Sequence, residues 1–321
     1  MKVVLFGPER RLGAIAGEQV IDLVAAGDRL APGQLQQDLA AFIAGGDRTL
    51  DAAARIVDGA ASAADPAFCH KLADVKLHRP EVVGARIACA GGNFARHSAG
   101  MRSNEGQAPA TYEQMVERIR GNGFWGFWKV SRAGAGPDDD VMYPARTERL
   151  DYEGEAAVVI GSPAKDVSAA QARSHIWGVT LHIDWSIRDK RDPAMPLNFA
   201  LSKNFDGSSS LGPCIVVGEL DPHDLAIETR VNGELRQQYN SGEMVFSFEE
   251  YIEYLSRDHT LFPGDIISGG TGAGTAMDSS PRDEHGVAAP DRFLKPGDSI
   301  EVSSPGIGSL RNRVVAKRAS A

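Results

Sequence analysis

Two glutamates stand one residue apart, Glu153 and Glu155, at the head of the run Ala156-Ala157-Val158-Val159-Ile160-Gly161. A short apolar run closed by glycine reads as a buried strand. Side chains alternate along a strand, so both carboxylates point to one face. Exposed strands carry such pairs as solubilising charge, but the apolar run argues for burial. Two buried carboxylates repel each other unless positive charge lies between them. Hard oxygen ligands suit Mg²⁺ or Mn²⁺, with Ca²⁺ as a further option, better than a soft metal. The pair therefore needs a fold that brings a third ligand to it. Asp184 is the candidate, at the polar end of the strand-like stretch Gly178–Ile183.

The rest of the chain fits an enzyme with a large core. Its 321 residues are 42% hydrophobic, enough for one large domain or two unequal ones. The net charge is −9 and no basic stripe stands out, which argues against nucleic acid as partner. Cys69, Cys89 and Cys214 are widely separated and odd in number, so they form neither a disulfide framework nor a zinc pattern. The opening Met1–Gly7 is too short in apolar residues for a signal peptide, and no stretch approaches a membrane span. The expectation is a cytoplasmic protein without membrane contact.

Residues 1–76 read as a small leading α+β domain. Strands are expected at Lys2–Phe6, Arg11–Ile15 and Gln19–Leu23, with Ala-rich helices near 35–43 and 50–60. The main body, 85–321, opens with the strand Arg86–Ala90 and Gly91-Gly92-Asn93. Helices are expected at Tyr112–Arg120 and Ser247–Arg257. From Ala145 onward most segments are strand-like, among them Ala156–Ile160, Gly178–Ile183, Cys214–Val217, Ile227–Val231, Asp265–Ile267 and Ser299–Val302, separated by turn residues. The sum is a β-rich α+β fold, a barrel or rolled sheets. Gly269–Thr275 is glycine-rich like a dinucleotide loop, but residues 276–281 are read as no helix, so the nucleotide reading is rejected. Gly207–Ser210 lacks the frame of a nucleophile elbow.

Asp151-Tyr-Glu-Gly-Glu-Ala-Ala-Val-Val-Ile-Gly161 resembles the hallmark of the fumarylacetoacetate hydrolase family. So do Gly-Gly-Asn-Phe-Ala-Arg-His (91–97), Asp-Trp-Ser-Ile-Arg-Asp (184–189), Lys-Asn-Phe-Asp (203–206), Gly-Pro-Cys-Ile-Val (212–216) and Val-Asn-Gly-Glu (231–234). Pro-Gly-Asp-Ile-Ile-Ser-Gly-Gly-Thr (263–271), Leu-Lys-Pro-Gly-Asp-Ser-Ile-Glu-Val (294–302) and Gly-Ile-Gly-Ser-Leu-Arg-Asn (306–312) complete the series. Singly these are weak; together, in the family's order from about residue 85 to 317, they are specific. The resemblance implies a rolled-β catalytic domain behind a small N-terminal domain, a homodimer, and Mg²⁺ or Mn²⁺ held by Glu153, Glu155 and Asp184.

By the same resemblance His97 matches the catalytic histidine, suited to activating water near neutral pH. The family usually carries a glutamate three residues later; here that position is Gly100, so either another carboxylate, with Glu105, Asp278 and Glu284 as candidates, orients His97, or the water is positioned differently. Lys203 and Arg188 match positive residues of the pocket, where they would stabilise an enolate. The plainer reading pairs them with Asp189 or Asp206. Thr271, Lys129 and Asn93 fall at substrate-contacting positions, with a simple turn role as the alternative for Asn93. The segment 100–128, with its helix and Phe124–Trp128, reads either as core or interface, or as a lid in which Trp125 and Trp128 shape an acyl pocket.

The resemblance implies hydrolysis of a carbon–carbon bond in a β-diketo acid of acylpyruvate or fumarylacetoacetate type. Isomerases, decarboxylases and hydratases acting on a related keto acid use the same site, and the missing glutamate at position 100 favours them. A catalytically silent binding protein on this fold is the third reading. It gives no reason to retain Glu153, Glu155, Asp184 and His97 together.

Overall fold

The computed structural model describes all residues except 36–37, 64, 105–107, 131, 190–198, 282–288 and 317–321. The leading segment holds strands β1 (Lys2–Phe6), β2 (Arg11–Ala16), β3 (Gln19–Asp22), β4 (Cys69–Lys71) and β5 (Leu77–His78). Its helices are α1 (Leu23–Leu30), α2 (Leu39–Ala44) and α3 (Gly46–Ala63). Helix α1 occupies residues that carry no helical expectation from the sequence. Asp22, the last residue of β3, turns the chain by capping Val24 and Ala25 N–H at 3.1 and 3.0 Å.

The main body follows with β6 (Ile87–Ala90), α4 (Ala95–Asn104), α5 (Tyr112–Asn122), β7 (Gly126–Lys129), β8 (Asp140–Met142) and β9 (Leu150–Asp151). Next come β10 (Gly154–Ile160), α6 (Ala169–Ala172), β11 (Ile176–Asp184), β12 (Ser186–Ile187), α7 (Phe199–Ser202), β13 (Ser209–Val217), β14 (Ala226–Val231) and β15 (Glu234–Asn240). The remainder is α8 (Phe248–Ser256), β16 (Ile266–Thr271), α9 (Ala276–Ser279), β17 (Ser299–Ser304) and β18 (Gly308–Val315). Thr111 and Ser247 start α5 and α8 with reciprocal capping boxes to Gln114 and Glu250. Helix α9 corrects the expectation of no helix at 276–281. Four residues are too few to show a period, and the turn is held by caps: Thr275, and Asp151 from across the site.

One long mixed sheet runs β4-β3-β2-β1-β13-β11-β10-β16-β6-β7, and a smaller one runs β15-β14-β17-β18-β8. The fold is α+β and β-rich. The long sheet's order ends at β4 and β7, so the described strands form packed sheets and not a closed barrel. The smaller sheet covers one face of the long one, with Val158, Leu181, Ile227, Val302 and Leu310 buried in a common core. On the opposite face, Ala157, Val159, Trp177, Ile215 and Ile266 bury against Leu23, Phe42, Ile43 and Ile56 of the leading helices. Strand β1 hydrogen-bonds β13 directly, so the leading segment's sheet continues that of the main body.

This second face changes character along β10. Alternation puts Glu155 and Ala157 on one face, and between them the pairing to β16 shifts register. Such bulges re-aim side chains beside functional sites. Past the shift the apolar face becomes acidic.

Candidate functional site

Glu153, Glu155 and Asp184 are buried and offer oxygen atoms that all lie within 4.8 Å of one another. Strands β10 and β11 pair with Gly154 opposite Ile183, and Asp184 N–H donates to Glu153 carbonyl oxygen at 2.9 Å. The three carboxylates therefore meet at the ends of two neighbouring strands. They line a cavity of about 340 Å³ together with His97, Arg188, Lys203 and Thr271.

Cations meet two of the carboxylates. Lys203 pairs with Glu153 and, at 2.8 Å, with Asp184. Arg188 pairs with Glu153 and, at 3.1 Å, with Asp151. The sequence's pairing of Lys203 and Arg188 with Asp189 or Asp206 is thus replaced. Asp189 instead accepts from Thr147 Oγ1 and Glu148 N–H. Burial would raise the Glu153 carboxyl, but Arg188, Lys203 and His97 hold it well below the usual range.

Glu155 differs. It accepts from Ser268 Oγ and lies 3.0 Å from His182 Nδ1, and no lysine or arginine forms an ion pair with it among the described residues, Lys203 acting on it only from beyond that distance. Burial pushes His182 down to about 3, so it is neutral and brings no charge. Burial, then the charges of Asp184 and Glu153, push the Glu155 carboxyl well above its ordinary value. An all-oxygen set with one uncompensated carboxylate suits a hard divalent cation. Cys89, Glu155 and His182 form a second close group. Burial holds the Cys89 thiol well above its ordinary value, and both His182 nitrogens are engaged, Nε2 by Ser209 Oγ at 2.9 Å. That set suits a metal less well.

His97 sits in the first turn of α4 with Nε2 3.7 Å from Glu153 Oε1 and Nδ1 2.6 Å from Asp278 Oδ2. Burial pulls the imidazole down, but the hydrogen bond and charge of Asp278, with the charge of Glu153, hold it above its usual value. Of the other carboxylates expected near His97, Glu105 and Glu284 lie outside the described residues.

The structure separates the three expected substrate contacts. Thr271 lines the cavity, its hydroxyl donating to Gly154 carbonyl oxygen at 2.9 Å and accepting from Gln237 Nε2 at 2.7 Å. Lys129 is not on the cavity wall. It lies behind Asp184, pairs with it, and donates to Ser208 and Trp185 carbonyl oxygens at 2.6 and 3.1 Å. Asn93 is also off the wall. Its amide donates to Phe246 and Gly269 carbonyls and accepts from Phe246 N–H, so its polar atoms are spent on bracing two loops. The lid expectation divides likewise. Trp125 lines the cavity over Gly91, where a Cβ would meet its ring at 2.4 Å. Trp128 faces the other side of β7, beside Arg86 and His259.

Sequence reasoning missed His182, Asp151, Arg102 and Arg118. His182-Ile183-Asp184 carried a signal, since alternation puts His182 on the face of Asp184. Asp151 heads the acidic motif but acts at a distance, capping α9 at Ala276 and Met277 N–H.

Comparison with known proteins adds to this geometry. The family model described as fumarylacetoacetate hydrolase, C-terminal, matches residues 86–315. The chain is 33% identical to the mitochondrial oxaloacetate tautomerase FAHD2B of Bos taurus, over 97% of this chain and 88% of that one. It is 32% identical to the oxaloacetate tautomerase YisK of Bacillus subtilis, over 94% of each. Among solved structures, the fumarylacetoacetate hydrolase of Exiguobacterium antarcticum matches with a TM-score of 0.70 at 27% identity, covering 99% of this chain and 100% of that one. The 2-hydroxyhepta-2,4-diene-1,7-dioate isomerase of Mycobacterium marinum matches with a TM-score of 0.67 at 26% identity and the same coverage.

Proposed function

The chain belongs to the fumarylacetoacetate hydrolase family, and on that premise we propose that it is a divalent-metal-dependent enzyme interconverting the keto and enol forms of a 2-keto acid of the oxaloacetate type. The observation that carries the reading is the position of His97, with one nitrogen at the edge of the three-carboxylate cluster and the other engaged by Asp278. Two relatives named as oxaloacetate tautomerases, each aligned over nearly the whole chain, support it.

Glu153, Glu155 and Asp184 would hold Mg²⁺ or Mn²⁺, which when bound supplies a Lewis acid for the keto acid's oxygens. His97 Nε2 would take the proton from the carbon next to the keto group and return it there in the reverse direction. The C–H bond pair becomes the carbon–carbon double bond, the carbonyl π pair moves onto the keto oxygen, and the proton taken by His97 passes to that oxygen directly or by exchange with water, so no atom is lost. Lys203 and Arg188 place positive charge beside that oxygen as it becomes negative. Thr271 and Trp125 bound the space in which the substrate turns.

The second reading is the hydrolysis expected from the sequence, favoured by the likeness to the Exiguobacterium hydrolase. His97 would then deprotonate a water for attack on the distal carbonyl, and cleavage would give a 2-keto acid enolate and a carboxylic acid. The resemblance extends the proposal to a homodimer. Three free thiols fit a reducing cytoplasm.

The test follows enol absorbance of oxaloacetate, acetylpyruvate and fumarylacetoacetate with Mg²⁺, with Mn²⁺ and with chelator, and weighs the products. Metal-dependent loss of oxaloacetate enol at unchanged mass supports tautomerisation. Two fragments from a diketo acid support hydrolysis instead. No metal-dependent change with any substrate overturns both.

A further inference from the structure

We infer that the polar groups behind Glu155, namely His182 and Ser268 with Ser209 beyond them, set which divalent cation the cluster takes. By engaging one oxygen of Glu155 they leave it a single oxygen for the cavity, which favours Mg²⁺ or Mn²⁺ over Ca²⁺. The inference rests on the metal reading above.

Three strands deliver these groups. In the long sheet β13, β11, β10 and β16 lie side by side. Glu155 on β10 stands directly opposite His182 on β11, the cross-strand position at which side chains meet. Ser268 comes from β16 on the other side, across the register shift between Glu155 and Ala157, and Ser209 from β13. All three are buried, where the apolar face gives way to the acidic one. Polar groups buried at such a border need partners within the protein, and these three find them in one another and in Glu155.

The hydrogen bonds fall on one side of the carboxylate. Ser268 Oγ donates to Glu155 Oε2, and His182 Nδ1 lies 3.0 Å from the same oxygen. A carboxylate only accepts, so Nδ1 carries the proton and Nε2 takes the Ser209 hydroxyl proton, at 2.9 Å. Glu155 Oε1 accepts no hydrogen bond among the described residues. The oxygens of the other two carboxylates are all met. Arg188 pairs with Glu153 Oε1, and Lys203 and Ser186 reach its Oε2. Lys129 pairs with Asp184 Oδ1 and Lys203 with its Oδ2. Oε1 of Glu155 is thus the unengaged oxygen of the cluster among the described residues. A carboxylate pinned by one oxygen presents the other alone. Mg²⁺ takes a tight, near-octahedral set, whereas Ca²⁺ takes about six to eight oxygens and gains from a carboxylate that turns to give it both. His182 and Ser268 oppose that turn.

The experiment titrates the full, chelator-treated chain with Mg²⁺, Mn²⁺ and Ca²⁺ by calorimetry. His182→Phe combined with Ser268→Ala leaves Oε2 without a donor. The double variant is expected to lose about tenfold in Mg²⁺ and Mn²⁺ affinity, the lower range for loss of a residue that orients a metal ligand. Its Ca²⁺ affinity is expected to hold or rise, so the ratio of Ca²⁺ to Mg²⁺ affinity climbs at least about tenfold. His182→Asn puts an amide N–H in the place of Nδ1–H and is expected to keep the wild-type ratio. Should the double variant not fold, Ser268→Ala alone changes little volume and is expected to move the ratio the same way. Two-dimensional ¹H–¹⁵N spectra of histidine-labelled wild type, with His182 assigned through His182→Asn, are expected to show Nδ1–H. Equal loss of Mg²⁺ and Ca²⁺ affinity, an unchanged ratio, or Nε2–H on wild-type His182 overturns the inference and leaves the metal reading intact. Wild type that binds none of the three cations overturns both. No arm uses a substrate, so a wrong assignment of the activity leaves all of them standing.

Discussion

Glu155 is the residue on which the cluster's chemistry turns, because no lysine or arginine forms an ion pair with it among the described residues, whereas Glu153 and Asp184 each have one. A glutamine there keeps the shape and can still meet Ser268 and His182. Glu155→Gln is expected to weaken Mg²⁺ or Mn²⁺ binding at least about 100-fold by calorimetry, the upper end for loss of a supporting group and a floor for a ligand. The metal-free variant is expected to melt no lower than metal-free wild type, since it no longer buries an uncompensated carboxylate. The pH dependence has a definite sign. A carboxyl raised above its unfolded value binds a proton in the fold that the unfolded chain releases. This group's contribution therefore falls as pH rises from about 4.5, and Glu155→Gln flattens that part of the metal-free stability profile. Metal binding equal to wild type would remove Glu155 from the ligand set. The acidic cluster itself was legible, because Glu155 and Asp184 lie on strands and Glu153 immediately precedes one, so a strand-like alternation could be read from the sequence. Its compensation was not. Lys129, Arg188 and Lys203 arrive from three separate segments, and no local pattern states which carboxylate each will meet.

At the scale of elements, the cavity wall opposite the carboxylates is built by α4 and α5. Met115, Arg118, Ile119 and Asn122 recur at helical spacing on α5 and all line the cavity, as do Met101 and Arg102 on α4. Helix α5 was legible from its amphipathic spacing, with Tyr112, Met115, Val116 and Ile119 on one side. Helix α4 was not, because Ala-Arg-His-Ser-Ala-Gly-Met-Arg-Ser-Asn offers no apolar stripe. Arg102 escaped notice for the same reason, and Arg118 because the polar side of a legible helix does not state that it faces a cavity. Arg102 Nε is buried without a hydrogen-bond partner, and no ion pair to Arg102 or Arg118 is found among the described residues. Guanidinium groups with no ion pair among the described residues, on the wall of a cavity whose floor is anionic, suit a substrate with a second carboxylate far from the keto acid. Arg102→Ala and Arg118→Ala are each expected to raise KM for a keto diacid about tenfold, the cost of one charge-assisted hydrogen bond. KM for a keto monoacid of similar length should move far less. Equal effects on both substrates would show that the arginines shape the wall without reading charge.

At the scale of the whole molecule, the sequence divides near residues 76–85, and this boundary is proposed as one of sequence organisation. The packing joins what the sequence divides. Main-body residues Ile87, Ala157, Val159, Trp177, Leu211, Ile215, Val217 and Ile266 share one buried cluster with Leu23, Ala26, Phe42, Ile43 and Ile56. Phe42 meets Trp177 edge to face at 6.0 Å between ring centres. None of this was legible, because an apolar strand residue does not announce which helix will cover it, and the β1–β13 pairing spans more than 200 residues. The covered face is continuous with the one that carries Glu155, so its packing also sets the strand positions at the acidic cluster. A chain starting at residue 85 would expose that apolar face and leave β13 an open edge. Such a truncation is expected to bind a hydrophobic dye, to associate in light scattering, and to lose Mg²⁺ binding although every proposed ligand remains. A monodisperse truncation with a cooperative melt and intact Mg²⁺ binding would show instead that the main body folds alone and that the leading segment merely covers it.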